Sequence, residues 1–533
     1  MSNAQRRIEL YDTTLRDGAQ TAGIHFSSED KWRIAEKLAD FGMDWIEGGW
    51  PGANPKDDQF FDLARQRKWK KSKLVAFGST ARPDRKASED PLLTRLPTSG
   101  ADAVCIFGKA WALHVEKSLR TDRERNLDLV RDSVAWLKSR VPVVFFDAEH
   151  FFDGFIDDPD YALSVLRAAA DGGADYLVLC DTNGGTIPYD IARITGKVLE
   201  AFPGHTVGIH AHNDCEMAVA NSIAALRVGA GLVQGTVNGI GERCGNANLI
   251  SLIPTLQMKM GLDCGIPPET MKQLKGLSDY VNEMANRLPW RHQPYVGTNA
   301  FAHKGGVHVS AIRKESRLYE HIDPALVGNE RRILVSDQAG KSNILSKMQQ
   351  LEPEAGLNEN DPVVAEAVQR IKELEAMGYA FEGADASFHL LLLRAMGRFR
   401  RHFELIRYRV FDEKLGHLDP AEAEATVQLR VGERSLHTAA LGNGPVNAMD
   451  NALRAALVDV YPVLTHMRLA DFKVRVLSTR KATEGAVRVL IESTDGHSKW
   501  STVGVSTDVL EAVYRALNDA IEYKLTIDGV PAP

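Results

Sequence analysis

The sequence has little cysteine, no excess of positive charge and no long apolar run. Its five cysteines among 533 residues are odd in number and scattered, which favours free thiols in a reducing compartment. A formal net charge of −7 argues against nucleic acid or an anionic membrane as a partner. No apolar stretch approaches the ~20 residues that span a bilayer, and the amino terminus has no apolar signal core. We therefore expect a cytoplasmic protein without nucleic-acid or membrane partners.

Two common catalytic motifs are also missing. No G-x-G-x-x-G follows the first predicted strand, which disfavours a dinucleotide-binding open sheet, and the chain has no serine nucleophile elbow. What remains is the composition of an ordinary globular protein, with 44% hydrophobic and 25% charged residues and a mean hydropathy of −0.23. A length of 533 residues predicts two or three domains.

The amino-terminal half alternates short apolar runs with longer helix-periodic stretches such as Ser28–Phe41, Arg123–Lys138 and Cys215–Val228. This alternation predicts a parallel sheet with crossover helices, and eight such units are the size of a closed (β/α)8 barrel, with a doubly wound open sheet as the alternative. The eight predicted strands are Ile8–Asp12, Trp45–Gly49, Leu74–Gly78, Ala103–Phe107, Val141–Phe146, Tyr176–Cys180, Thr206–His212 and Val233–Val237.

The sequence pattern changes twice after the barrel. We expect a barrel domain over residues 1–265, helical linker subdomains over 266–383, and an α+β regulatory domain over 384–533. Two β-rich runs in the last segment, each closed by an amphipathic helix, indicate an internal duplication. The strands are predicted at Phe403–Phe411, Ala425–Leu429, Phe472–Leu477, Val487–Glu492 and Trp500–Val505, and the helices at Val446–Val458 and Thr507–Lys524.

Polar residues cluster at the carboxyl ends of the predicted strands, where barrel enzymes carry their active sites. His210 and His212 are two apart on one strand, so both side chains point the same way. With Asp17 after the first strand, they form a two-histidine, one-carboxylate set that can hold a divalent metal and leave positions open for substrate. The alternative is a pair of histidines packed in the barrel interior.

Arg16 and Glu149 also lie at strand ends, and each allows two interpretations. Arg16 is either half of a surface ion pair or a cation that polarises a carbonyl next to the metal. Glu149 is either a structural acid or a general acid or base. Spacing alone does not decide between them.

Several motifs together resemble a known family. Asp12-Thr13-Thr14-Leu15-Arg16-Asp17-Gly18 is similar to the signature of the DRE-type TIM-barrel metallolyases. Six further segments resemble the 2-isopropylmalate, homocitrate and citramalate synthases within that group. They are Ile46–Pro51, Phe145–Gly154, Leu179–Gly184, His210–Asp214, Gly241–Asn246 and Phe301–His308. The duplicated carboxyl-terminal module resembles the regulatory domain of that family.

The resemblance implies a role for each matched residue. It implies that Asp17, His210 and His212 hold the metal (Mn, Mg, Zn or Co), that Asn246 lies in or near its shell, and that Arg16 and Thr182 hold the 2-oxo acid. Glu149 and His308 would share the acid–base chemistry, with Tyr319 reaching the active site from the helical subdomain. We include Glu47 and Asp147 as further candidates for substrate binding.

The implied reaction is a Claisen-type condensation of acetyl-CoA with a small 2-oxo acid. The segments Glu47–Asp57 and Phe146–Gly154 resemble the members that use pyruvate, so we expect that substrate, an isoleucine route, feedback by isoleucine and a homodimer. The alternatives are 2-oxoisovalerate with leucine as effector, a barrel lyase of hydroxyacyl-CoA, a metal hydrolase on an unrelated barrel, and a non-enzymatic binding module.

Overall fold

A computed structural model of the chain describes residues 6–304, 306–333, 341–414, 422–477 and 485–533. They form two compact units, Met1–Phe301 with Ile322–Glu330, and Ala302–His321 with Arg331–Pro533. Among the described residues, no helix combines the length and apolar character needed to cross a bilayer. The domain boundaries at 265/266 and 383/384 stay a prediction from sequence pattern.

Eight parallel strands close into a barrel in the first unit, in sequential order, with β1 paired to β8. This confirms the predicted (β/α)8 architecture and excludes the open sheet. The strands are β1 (Glu9–Asp12), β2 (Trp45–Gly49), β3 (Lys73–Ser79), β4 (Ala103–Lys109), β5 (Val144–Glu149), β6 (Tyr176–Asp181), β7 (Thr206–Ala211) and β8 (Leu232–Gly235).

Helices follow the strands of the barrel, and two of them, Ser28–Phe41 and Arg123–Lys138, have the predicted bounds. The predicted start at Cys215 is wrong, because the side chain of Asn213 accepts from the N–H of Ala218 and the helix begins there. The other α-helices of four or more residues are Pro55–Ala64, Pro91–Arg95, Phe151–Asp157, Pro159–Asp171, Pro188–Ala201, Ala218–Val228, Leu249–Pro254, Pro268–Met271 and Leu274–Met284.

Two strand boundaries differ from prediction in a way that affects the site. β5 begins at Val144 and not at Val141, since Pro142 has no N–H to donate to a neighbouring central strand. It runs on to Glu149, and β4 runs on to Lys109. Their last residues, Glu149 and Lys109, are polar and lie beyond the predicted strand ranges, which end at Phe146 and Phe107. They lie instead on strands, where alternate side chains share one face.

Aromatic side chains fill the amino-terminal part of the barrel interior. The rings of Phe145 and Tyr176 stack with centroids 4.2 Å apart, and Trp45 meets Phe145 edge-on at 4.9 Å. The carboxylate of Glu9 accepts from Trp45 Nε1 at 2.6 Å and from the hydroxyl of Tyr176 at 3.0 Å. This packed floor leaves the carboxyl ends of the strands as the place for functional groups.

Two similar modules make up most of the second unit, each a three-stranded antiparallel sheet followed by a helix. The predicted duplication is therefore confirmed. The first module has β11 (Glu404–Glu413), β12 (Glu422–Val431), β13 (Arg434–Gly442) and the helix Pro445–Leu457; the second has β14 (Arg468–Val476), β15 (Val487–Thr494), β16 (Lys499–Ser506) and the helix Val509–Ile527. We did not predict β13, because most of its residues are small or polar and give little alternation of large apolar with polar side chains.

A helical part precedes these modules in the second unit. A short parallel pair, β9 (Ala302–His303) and β10 (Arg332–Ile333), accompanies the helices Gly306–Lys314, Lys341–Leu351, Pro362–Ala376 and Asp385–Ala395. Residues of the last three helices share a buried apolar cluster with Val503 and Val505 of β16. The helical part and the second module are thus joined by a common core.

Candidate active site

The turn that follows β1 places Arg16 and Asp17. The buried carboxylate of Asp12 accepts from both the N–H and the hydroxyl of Thr14, each at 2.9 Å. The N–H of Asp17 then donates to the carbonyl of Thr13 at 2.9 Å. Burial raises the pKa of Asp12 to about 7. The Asp12-Thr13-Thr14 run therefore folds back on itself and holds the next residues at the carboxyl end of β1.

The structure brings the three predicted metal ligands together. Asp17 Oδ2 lies 3.2 Å from His210 Nε2 and 3.8 Å from His212 Nε2, and the two Nε2 atoms are 3.2 Å apart. Ligand atoms about 2.1 Å from a divalent ion are themselves roughly 3.0–3.4 Å apart in octahedral or tetrahedral geometry. The three side chains are buried and form the metal-type cluster found among the described residues. Their spacing and chemistry fit a divalent cation.

Gln234 on β8 orients His210. The Oε1 atom of Gln234 lies 2.7 Å from His210 Nδ1 and can accept its proton, and the other ring nitrogen, Nε2, faces Asp17. The amide Nε2 of Gln234 donates to Asp147 Oδ1 at 3.0 Å, so the chain of contacts runs from Asp147 through Gln234 to the imidazole. Histidine ligands ordinarily have such a partner behind them. Sequence reasoning missed Gln234, although its place two residues after Leu232 points it into the barrel.

Electrostatics favour an ionised Asp17 and a neutral His212; burial acts to lower the pKa of His210, but the hydrogen bond and charge of Asp17 outweigh it and raise that pKa above its ordinary value. Burial acts to raise the pKa of Asp17, but Arg16 and the two imidazoles outweigh it and hold that pKa well below its usual range. Burial, together with His210, lowers the pKa of His212 to about 3. An ionised carboxylate and a neutral imidazole are the forms in which these side chains bind metal.

Asn246 lies against the same cluster. Its Nδ2 donates to Asp17 Oδ2 at 2.8 Å and lies 3.3 Å from His210 Nε2. Its Oδ1 is buried and has no hydrogen-bond partner among the described residues. A half-turn of the amide would bring that oxygen to the metal-facing side, where it could act as a fourth ligand. Gly241 makes room for this amide, because a Cβ there would lie 1.8 Å from Oδ1.

Arg16 is held rigidly beside the cluster. Its Nε donates to Glu47 Oε1 at 2.6 Å, and the hydroxyl of Tyr11 donates to Glu47 Oε2 at 2.6 Å. The guanidinium carbon lies 3.8 Å from the ring centre of Phe77, and NH1 lies 3.5 Å from Asp17 Oδ1. Both oxygens of the buried Glu47 are therefore occupied, and it fixes the direction of Arg16. Sequence reasoning missed Tyr11 and Phe77, which lie on the inward face of their strands.

Glu149 and Thr182 lie on neighbouring strand ends. The carboxylate of Glu149 forms an ion pair with Lys109, which we missed because β4 was predicted to end at Phe107. The hydroxyl oxygen of Thr182 accepts from the N–H of His150 at 2.8 Å, so its own proton is available to an acceptor. Both side chains can thus contribute polar contacts at the barrel mouth.

His308 and Tyr319 belong to the second unit. Their rings stack with centroids 4.1 Å apart, and Tyr319 is 44% exposed. Within the motif that contains His308, Gly305 lies outside the described residues. Their catalytic roles stay predictions.

Comparisons with known proteins cover most of the chain. The HMGL-like family model matches residues 7–277, the homocitrate synthase post-HMGL domain-like model residues 295–378, and the LeuA allosteric (dimerisation) domain residues 382–525. The (R)-citramalate synthase of Aquifex aeolicus is 53% identical over 98% of each chain, and that of Geobacter sulfurreducens 51% over 97% of its length. The chain belongs to the citramalate synthase family.

Other members of the wider group are less similar to this chain. The probable 2-isopropylmalate synthase of Methanopyrus kandleri is 30% identical over 96% of this chain and 97% of its own. Five relatives named (R)-citramalate synthase lie between 45% and 53% identity. The predicted family is therefore confirmed, and the unrelated metal hydrolase and the binding module are excluded.

Proposed function

We propose that the chain condenses acetyl-CoA with pyruvate and hydrolyses the thioester, giving (R)-citramalate and CoA. It is an acyltransferase that converts the acyl group into an alkyl group on transfer. The observation that carries this proposal is the cluster of Asp17, His210 and His212 beside Arg16, in a chain 45–53% identical to five (R)-citramalate synthases.

We assign the metal and Arg16 to the ketone of the 2-oxo acid. Asp17, His210, His212 and Asn246 would hold a Mn, Mg, Zn or Co ion. When bound, such an ion acts as a Lewis acid toward carbonyl oxygen. Arg16 directs its guanidinium to the same oxygen and shares the negative charge that develops during attack. Because Glu47 and Phe77 fix Arg16 in advance, little reorganisation is needed.

Proton transfer and carboxylate binding fall to the surrounding residues. Thr182 donates a hydrogen bond from its hydroxyl group to the carboxylate of pyruvate. Glu149, with its charge balanced by Lys109, removes a proton from the acetyl methyl group, and the enolate carbon attacks the ketone carbon. His308 and Tyr319 complete the acid–base set by family resemblance. Glu47 affects substrate binding through its contact with Arg16, and Asp147 affects it through its contact with Gln234.

Aromatic rings beside Arg16 favour a small 2-oxo acid. Phe77, which contacts the guanidinium, stacks on Phe107 with centroids 5.5 Å apart, and Trp50 meets both rings edge-on at 5.8 Å. These rings limit the space next to the bound ketone. A methyl group fits such a space more easily than an isopropyl group.

Release of free CoA thiol tests the proposal directly. We expect the highest kcat/KM with pyruvate, a lower value with 2-oxobutanoate and the lowest with 2-oxoisovalerate. The decrease should be graded, because each added methylene changes the free energy of the transition state by only ~1–3 kcal/mol. His210→Ala is the control that should abolish the signal. A higher value with 2-oxoisovalerate would indicate a 2-isopropylmalate synthase, and cleavage of a hydroxyacyl-CoA without condensation would indicate a lyase.

We also propose that residues 384–533 form the regulatory and dimerisation domain, with residues 266–383 completing the active site. The match to the LeuA allosteric (dimerisation) domain supports a homodimer inhibited by isoleucine, the end product of the route. Five free cysteines support a reducing, cytoplasmic location. Inhibition curves with isoleucine, leucine and valine, together with light scattering, test the effector and the dimer. Stronger inhibition by leucine would contradict the isoleucine assignment.

A further inference from the structure

A buried ion pair lies beside the carboxyl end of β2. Lys31 belongs to the helix Ser28–Phe41 and Asp57 to the helix Pro55–Ala64, and each of the two residues is only 5% exposed. The Nζ atom of Lys31 contacts Asp57 Oδ1 and donates to the carbonyl of Gly48 at 3.2 Å. Such a pair stabilises a fold no more than well-packed apolar side chains of similar volume, because both charges lose their water. Its value is therefore better sought in what it holds in place.

Asp57 holds the backbone of Trp50, the first residue after β2. Its second oxygen accepts from the N–H of Trp50 and from Asn54 Nδ2, each at 2.9 Å. The side-chain oxygen of Asn54 in turn accepts from the N–H of Asp57 at 3.0 Å, so the carboxylate is fixed at the start of its helix. Gly49 has a φ of +142°, and a Cβ there would lie 2.5 Å from Asp57 Cγ. The chain therefore passes directly over the carboxylate just before it reaches Trp50.

The indole ring of Trp50 depends on this backbone contact for its place. Its buried Nε1 has no hydrogen-bond partner among the described residues, which is unfavourable for a donor without water. The ring meets Phe77 and Phe107 edge-on, with centroids 5.8 Å away in each case, and Phe77 contacts the guanidinium of Arg16. Because no hydrogen bond of the indole fixes the ring, its position follows from these packing contacts and from the anchored backbone.

A continuous set of contacts thus joins the ion pair to the aromatic wall beside the proposed catalytic centre. We propose that Lys31 and Asp57 are positioning residues for Trp50. By holding its ring against Phe77 and Phe107, they set the size of the 2-oxo acid that the enzyme accepts. Neither residue touches substrate, because both belong to the helices outside the barrel strands. This inference rests on the proposed function and extends it to residues away from the barrel mouth.

Two double substitutions in the full chain separate the backbone anchor from the charges. Lys31→Met with Asp57→Leu removes both charges and the acceptor for the N–H of Trp50, whereas Lys31→Met with Asp57→Asn removes the charges but keeps an acceptor oxygen. The first should raise the ratio of kcat/KM for 2-oxoisovalerate to kcat/KM for pyruvate about tenfold or more, and the second should keep the wild-type ratio. Glu29→Leu with Arg33→Met is the matched control, since it removes an exposed ion pair from the same helix.

Fluorine NMR of the chain labelled with fluorotryptophan follows the ring without turnover, which keeps this inference separate from the proposed function. The signal of Trp50 is the one that Trp50→Phe removes. It should shift or broaden in the variant with Asp57→Leu and stay in place in the variant with Asp57→Asn and in the control, whichever 2-oxo acid is condensed. Equal signals in the two double variants, or a moved signal with an unchanged substrate ratio, would overturn the inference. So would failure of the Asp57→Leu variant alone to fold, as seen by circular dichroism, because the pair would then serve stability.

Discussion

The expected role of Arg16 depends on the planar shape of its guanidinium group as well as on its charge. Its Nε donates to Glu47, and its flat face rests on Phe77. Lysine keeps the charge but has neither a planar face nor the second nitrogen that would point at substrate. We therefore expect Arg16→Lys to lower kcat/KM about 100-fold or more, as measured by CoA release.

Arg193→Lys is the control for that substitution, since Arg193 is partly exposed and pairs with Asp190 within one helix. It should leave kcat/KM unchanged. An Arg16→Lys enzyme of near-normal activity would mean that a simple positive charge suffices.

Of the proposed metal ligands, Gln234 contacts His210, so its removal should affect metal affinity more than chemistry. Gln234→Leu takes away the acceptor that faces Nδ1 of this ring. We expect metal affinity to fall about 10- to 100-fold, while kcat at saturating metal changes little. Titration with a metal-binding indicator dye measures the first quantity, and activity at high metal concentration the second. An equal loss in both would show that Gln234 contacts the reacting groups.

Residue types and their strand positions predicted much of this site, but their partners were not predictable. His210, His212 and Asp17 are recognisable because histidines at an interval of two share a face, and strand ends meet at one rim. The sequence does not reveal that Tyr11 and Arg16 contact the two oxygens of Glu47, whose role in substrate binding stays a prediction. Such pairings depend on register between strands far apart in sequence.

At the scale of elements, the loop that follows β8 holds the side chain of Asn246 in position. Gly241→Ala puts a methyl group 1.8 Å from Asn246 Oδ1, so the amide must leave its place beside Asp17. We expect metal affinity to fall at least tenfold, as measured by the same dye titration. Gly185→Ala is the matched control, because a Cβ there meets nothing within 4 Å. Equal affinities in the two variants would rule out this role for Gly241.

Element boundaries were predictable where caps and apolar periodicity agree. Ser27 and Asp30 form a capping box that begins the helix Ser28–Phe41 at its predicted residue. The failures occurred where polar residues continue a strand, as at Glu149 and Lys109, and where a strand has few large apolar side chains, as in β13. In these cases neighbouring strands, and not local pattern, decide the structure.

At the scale of the whole molecule, the second unit contains a buried histidine, His402, that contacts a buried glutamate. His402 Nδ1 lies 2.7 Å from Glu522 Oε2, and Nε2 lies 2.9 Å from the carbonyl of Val530. Burial acts to lower the pKa of His402, but these two acceptors outweigh it and raise the pKa above its ordinary value of 6.5. The stabilisation is complete below pH 6.5 and is lost as pH rises through the folded-state pKa.

We therefore expect the Tm of the second unit to fall by about 3–5 °C per unit of pKa elevation as pH rises through the folded-state pKa of His402. His402→Gln should remove this part of the pH dependence, whereas His437→Gln, at an exposed position on β13, should keep it. Scanning calorimetry at several pH values measures the difference. A wild-type Tm that does not fall relative to His402→Gln would contradict the raised pKa.

The shared core of the second unit limits how regulation can be studied. Phe388 and Leu391 pack with Val503 and Val505 of β16 and with residues of the two preceding helices. A chain cut before Asp385 would expose this apolar surface, and we expect it to aggregate, as size-exclusion chromatography would show. A monodisperse truncated chain would contradict that expectation.

The barrel closes along the line where the metal cluster is assembled. Asp17 follows the first strand, His210 and His212 lie at the end of β7, and Asn246 follows β8, so Asp17 and Asn246 meet across 229 residues of sequence. On the ribosome, no part of the nascent chain before β8 can offer the complete ligand set. A divalent ion bound to this set would link the first strand of the barrel to the last two, so its binding would stabilise the closed barrel.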